Sequence, residues 1–413
     1  MKKILIVSGV LIVFGAIGVG VYFGIQGAKR ATIPGQSDQS ASSGSFPISS
    51  GGGQAPNGSS GGQQTTAGQS GSLPQSAEEQ QQKSMLFQLT THPAVGFWVA
   101  SSSSSSPSGI LRGEAYYLNS NGDVVRIQDV GSEQVVSHIP LVGTPLWVSQ
   151  NNGGSYVVVM LDSGSYALFD VQKKAWQALP DGIQSVAFSP DGKKLAFLKE
   201  VNGQTTISSM NIAAARQTVT PIISFEAVDM TLEWPMPDRI FVMSRPSSQV
   251  DGQAWYVDLQ KKSINFFTHG LGLQLAFQNA SPYAILKFTS NNSLGKMDVV
   301  GMDKNGNVIQ KLNFSTLADK CAWQAGKSFV ICGIPWESTQ QEGSFQLPDD
   351  YLKRAVYFHD WIDGATISST LSFVRLMTTP TVLLDVSSPI VVGSQFFFLN
   401  RLDGTVYLYN LPS

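Results

Sequence analysis

The residue types that could do chemistry are few in this chain, and their spacing keeps them apart. Its four histidines, His92, His138, His269 and His359, are scattered, none with a partner at metal-ligand spacing. No metal site and no cofactor is implied. Asp303-Lys304-Asn305-Gly306-Asn307 alternates oxygen-bearing side chains as a calcium loop does, but the Gly is misplaced and the twelfth position holds no Glu, so it reads as a hairpin turn. Gly58-Ser59-Ser60-Gly61-Gly62 has the spacing of a nucleophile elbow, which requires a strand before it and a helix after it. It lies instead in a Ser/Gly tract, and Ser60 is given no catalytic role. Asp349 and Asp350 are adjacent, whereas an acid-base pair needs two carboxyls converging from separate elements. No catalytic residue is assigned.

The two cysteines, Cys321 and Cys332, lie on strands flanking a short turn at 324–327. Hairpin register sets them opposite or diagonal to each other, within reach of a cross-strand disulfide. A one-residue slip would turn them to opposite faces and leave two buried thiols. The bond is expected, and with it an oxidising compartment.

The elements that would position these residues are strands. AFSPDGKKLAFLKE, residues 187–200, reads as strand, tight turn, strand, with Pro190 presetting φ and Gly192 free to take positive φ. Such units recur at roughly 40 to 50 residues, the length of a propeller blade, with no helical segment between them. They begin near His92, Thr144, Gly182, Ala227, Gly272, Leu317 and Val382, which predicts seven blades. First strands match by type, as PLWVSQ, SVAFSP, TLEWPM, QLAFQN and KCAWQA, each with an aromatic before the turn. Trp147, Phe188, Trp234, Phe277 and Trp323 are therefore expected in equivalent places, buried between blades. Asn121-Gly122 and Asn305-Gly306 supply further hairpin turns. A Ser run, residues 101–106, reads as a flexible loop between strands. The last unit holds only three strand candidates, and residues 86–89 are expected to provide its fourth and close the ring.

The amino-terminal part has another composition. Residues 4–25 are an uncharged run of about 22 apolar or small residues, long enough to cross a bilayer core of about 30 Å. The run exceeds a signal-peptide core, its exit lacks a good cleavage site, and Lys29-Arg30 follows at once, so residues 1–30 read as an uncleaved transmembrane anchor. Ala16, Gly20, Gly24 and Ala28 repeat every fourth residue, a face suited to helix packing, although Gly is common in membrane helices generally. Residues 31–84 are a disordered Gly/Ser/Gln-rich linker that can form no core, a tether of roughly 40 Å end to end. The β-propeller domain occupies 85–413. With 14% charged residues and a net charge of -2, the chain has no basic footprint, and nucleic acid is excluded as a partner.

The Ser189–Phe197 hairpin, SPDGKKLAF, together with the YVDL-type strand, resembles the TolB-like, PD-type branch of WD-like β-propeller repeats. KCAWQAGKSFVICGIPWES, followed by LPDDYL, resembles an uncharacterised group of bacterial proteins with one N-terminal membrane helix, a low-complexity linker and a propeller. The resemblance implies architecture and no activity.

Together these features describe an all-β, seven-bladed propeller behind one transmembrane helix and a linker. The expected function is that of a membrane-anchored, noncatalytic scaffold binding a protein or an envelope polymer, with lipid contacted by the helix. The alternative is a propeller enzyme, hydrolytic or glycan-active, whose carboxylates converge in a central cleft. The longest excursion between strands, carrying Trp336, Asp349, Asp350, Tyr351 and Arg354, is the candidate binding loop. Charges flank the membrane segment evenly, so the expected disulfide and uncharged tether decide the placement. The propeller is expected outside the cytoplasmic membrane.

Overall fold

The computed structural model describes residues 85–412, apart from 202, 215–217, 248–249, 280–282, 292–295, 336–358, 369–371 and 378–381. Ala16, Gly20, Gly24 and Ala28 of the membrane segment lie outside the described residues, as do Ser60, the linker, and Trp336, Asp349, Asp350, Tyr351 and Arg354. Among the described residues no helix is long and apolar enough to cross a membrane.

Ser189–Gly192 shows how the local chemistry makes a blade. Gly192 sits at φ 67°, and its N–H donates to Ser189 O at 2.8 Å. Ser189 Oγ donates to Asp191 Oδ1 at 2.5 Å, and that oxygen also accepts from Lys193 N at 3.1 Å. The turn groups are thus satisfied internally, and Ile183–Phe188 is returned antiparallel onto Lys194–Val201. Asp303 closes its own turn in the same way, accepting from Asn305 N at 2.8 Å and Asn307 N at 2.9 Å.

Seven four-stranded antiparallel sheets result, each blade running consecutively outward from its first strand. The first strands are Gly96–Ser105, Pro145–Gln150, Ile183–Phe188, Met230–Met236, Gln274–Phe277, Cys321–Trp323 and Val386–Val392. These fall within a few residues of the expected blade starts. Blade 7 is completed by the start of the domain: Leu86–Gln88 pairs with Thr405–Asn410 in the register Leu86 to Tyr409, Phe87 to Leu408 and Gln88 to Tyr407.

Seven apolar clusters fill the seven junctions between neighbouring blades. Strand alternation assigns each blade's two faces to two different clusters. In blade 7, Phe397 faces Phe97 and Tyr117 of blade 1, while Phe396 and Phe398 face Ile331 and Ile362 of blade 6. All three phenylalanines are fully buried.

Two local expectations are corrected. The Ser run belongs to the strand Gly96–Ser105, whose register shifts between Ala100 and Ser105. A bulged edge of small residues accommodates this without an apolar period. Trp147 is 40% exposed and does not occupy the place of Phe188. Phe188 pairs with Leu195 just before its turn, and the corresponding residue of blade 2 is Gln150, paired with Val157. Trp147 stands three residues earlier, where the chain pairs with Met160. Trp234 is buried as expected, while Phe188, Phe277 and Trp323 are partly buried.

Leu89 is fully buried, its N–H donates to Val406 O at 2.8 Å, and Thr90 Oγ1 accepts from Val406 N at 3.0 Å. A chain shortened to begin at Thr91 should therefore lose at least ~2–5 kcal/mol relative to one beginning at Met85, from Leu89 burial alone. It should also self-associate through the uncovered edge of blade 7. Thermal melting and sedimentation of the two chains check both expectations.

Candidate functional site

First strands from blades 1, 2, 4, 5, 6 and 7 contribute to the wall of one cavity of about 710 Å³, which identifies it as the axial channel. An adjoining cavity of about 450 Å³ is walled by blades 2, 3 and 4 with Asn279 of blade 5, and Gln150, Asn152, Glu233 and Asn279 belong to both. The channel is rich in amides because the blade seams use them. Gln150 Oε1 accepts from Val99 N at 2.9 Å, joining blades 1 and 2. Asn151 Nδ2 donates to Gly192 O at 3.2 Å, joining 2 and 3. Ser185 Oγ accepts from Leu232 N at 3.0 Å between 3 and 4, and Arg239 Nη1 donates to Lys304 O at 2.7 Å between 4 and 5. Gln278 Nε2 donates to Lys327 O at 2.9 Å, and Gln324 Nε2 to Gly393 O at 3.0 Å, across the next two seams. At the closing seam Gln395 Oε1 accepts from Arg112 N at 2.8 Å, while its Nε2 donates to Ile110 O at 2.6 Å.

Two carboxylates reach the channel. Asp319 lies in the single turn Ala318–Lys320 and is paired with the Arg401 guanidinium. Surrounding protein pushes its pKa up, and Arg401 opposes the shift. Among the described residues, Glu233, from the first strand of blade 4, meets no neighbouring charge or hydrogen bond to hold it, and desolvation pushes its pKa up to about 7. Its side chain stays exposed on the walls of both cavities, and water there opposes the shift. Sequence reasoning missed Glu233. The signal was present, since it is the only acidic residue in the five aligned first strands.

Immediately behind the channel wall, Lys320 is fully buried between two fully buried carboxylates, Asp360 Oδ2 at 2.5 Å and Asp385 Oδ1 at 2.8 Å. Asp360 Oδ2 also accepts from Val386 N at 2.7 Å, and Asp385 N donates to Asn400 Oδ1 at 2.8 Å. The triad ties blade 6 to blade 7 and fixes the turn that carries Asp319. Next in sequence, Cys321 lies directly across from Cys332 with Cα atoms 4.1 Å apart, and the two are joined as a disulfide. Cys321 contributes to the channel wall.

The remaining chemical candidates do not meet. His92 pairs with Glu133 at 2.8 Å, His138 with Asp123 at 2.9 Å, and His269 with Asp251 at 3.7 Å, each within its own blade or entry strand. His359 Nδ1 accepts from Leu384 N at 3.1 Å. Among the described residues no three His, Cys, Asp or Glu side chains are grouped to hold a metal ion.

No family model matches the chain, and no curated protein matches it. Solved structures do. The WD40 repeats of RRP9 are 9% identical, with 80% of this chain and 98% of that chain covered and a TM-score of 0.50. U3-55K is 9% identical, with 79% and 99% covered and a TM-score of 0.51. TolB from Acinetobacter baumannii is 11% identical, with 76% and 62% covered and a TM-score of 0.37. The likeness is one of fold: the described residues form a seven-bladed β-propeller with WD40 and TolB proteins among its structural neighbours.

Burial raises the Asp360 pKa to about 6, against the attraction of Lys320 and with the repulsion of Asp385. A carboxyl whose folded pKa is raised holds more protons folded than unfolded, so its contribution is fully present below about pH 4 and is lost as pH rises through about 6. Wild-type stability should therefore contain a component that falls between pH 4 and 7 and is missing in Asp360→Asn. Urea titrations of both proteins across that range check the difference.

Proposed function

We propose that this protein is a noncatalytic scaffold, a propeller carried on a membrane helix and a flexible tether, that binds a partner protein or an envelope polymer. The observation that carries the reading is the use of polar side chains at all seven seams. Groups committed to joining blades make a rigid ring and leave its faces and channel to recognition, which suits a platform rather than a reaction centre. The run at 4–25 is long enough for the anchor, and the uncharged tether gives the ring reach. The Cys321–Cys332 bridge supports a propeller outside the cytoplasmic membrane. We place the principal partner contact on the excursion that carries Trp336, Asp349, Asp350, Tyr351 and Arg354, the longest departure from strand pattern in the domain.

A propeller enzyme is the second reading, and one observation favours it: Glu233 and Asp319 share the channel. Asp319 is committed to its ion pair with Arg401, which weakens its candidacy as a general acid. Affinity capture of the full chain from its native membrane in mild detergent tests the scaffold. One partner or polymer should be retained by the wild type and depleted when residues 336–354 are deleted. Equal recovery with both proteins would remove that contact.

A further inference from the structure

The seams use most of the polar groups on the channel wall, and Glu233 is left over. No described charge or hydrogen-bond donor meets its carboxylate. The other charged groups on the two cavity walls are already matched, Asp319 by Arg401 and Arg245 by Asp229 at 2.6 Å. A second unmatched acceptor stands on the wall of the smaller cavity. Gln184 Nε2 donates to Glu200 Oε2 at 3.0 Å, which fixes the amide so that Oε1 is its other end, and Oε1 is buried without a partner. Trp147, 40% exposed, lies on the same wall with part of its surface open.

These groups specify a ligand by its chemistry. An uncompensated anion enclosed by protein attracts a cation more strongly than one on an open surface. An open indole on the same wall attracts a cation or an apolar stem. A metal ion is a poor fit, because one carboxylate and one amide oxygen are too few ligands and no third acidic or histidine group is grouped with them among the described residues.

We propose that the smaller cavity binds an organic cation, an ammonium or guanidinium group that meets Glu233 and lays its stem against Trp147. Such a group has two sources, a free polyamine or a basic side chain of a bound polypeptide. The proposal rests on the channel being a binding surface, but not on which partner the scaffold holds.

Calorimetric titration of the full chain in mild detergent separates the sources. The probes are spermidine, an N-acetylated and C-amidated Gly-Lys-Gly peptide, and the same peptide with its lysine acetylated. At least one cationic probe should bind saturably, at least tenfold more weakly to Glu233→Gln and several-fold more weakly to Trp147→Ala, with no binding of the acetylated peptide. Binding of spermidine alone assigns a small amine, and binding of the lysine peptide assigns a polypeptide side chain. Absence of binding by both cations at millimolar concentration, or equal binding by Glu233→Gln with an unchanged melting curve, would overturn the site. If Glu233→Gln melts differently, Trp147→Ala carries the test, with its own melting curve compared against the wild type. A partner captured equally well by wild type and Glu233→Gln would leave the scaffold reading intact.

Discussion

The structure depends on closing the ring. Each blade presents two apolar faces, and each face is covered only by the next blade around the axis. An open array would leave two faces and two strand edges to water. The contact that prevents this is the pairing of Leu86–Gln88 with Thr405–Asn410, which joins the start of the domain to its end. Phe397 and Leu408 can then be buried against Phe97 and Tyr117, and blade 1 gains its missing neighbour.

Closure also explains the polar character of the channel. Neighbouring blades meet through Gln150 and Gln278 at the channel wall and through Gln324 and Gln395 at two further seams. These amides pair with backbone groups of the neighbouring blade that would otherwise lack a partner. Lys320, Asp360 and Asp385 reinforce the seam between blades 6 and 7, where blade 6 contributes a first strand of only three residues, Cys321–Trp323. The disulfide crosses the same short strand. A buried triad of this kind favours one docking geometry more than it adds net stability, since burying the three charges has its own desolvation cost. Glu233 then stands apart, as a carboxylate placed in the channel without a seam to serve.

Blade number, order and closure were legible in the sequence because turn chemistry and strand period are local. Pro190 and Gly192 state their own turn, and the apolar pairs on either side state which faces are covered. Positions within a blade were less legible. Trp147 was aligned with Phe188 by residue type, whereas the turns align Gln150 there, and only the hydrogen bonds around Asn151 and Gly154 reveal the shift. The Ser run carries no periodic signal because its residues are alike, so its strand is set by pairing with blade 1 neighbours. The channel was the least legible part. Residues from six blades meet there across hundreds of positions in sequence, and no spacing rule connects Glu233 with Gln150 or Asp319.

A closed ring works as a rigid unit only if the joined ends are as firmly held as the interior of the ring. Native-state hydrogen exchange on the full chain, resolved by blade, measures this directly. Amides of Leu86–Gln88 and Thr405–Asn410 should exchange as slowly as those of Tyr156–Leu161 and Lys194–Val201, through one shared opening of the domain. Fast exchange confined to blade 7, with the other blades still protected, would contradict a ring held by the pairing of its two ends.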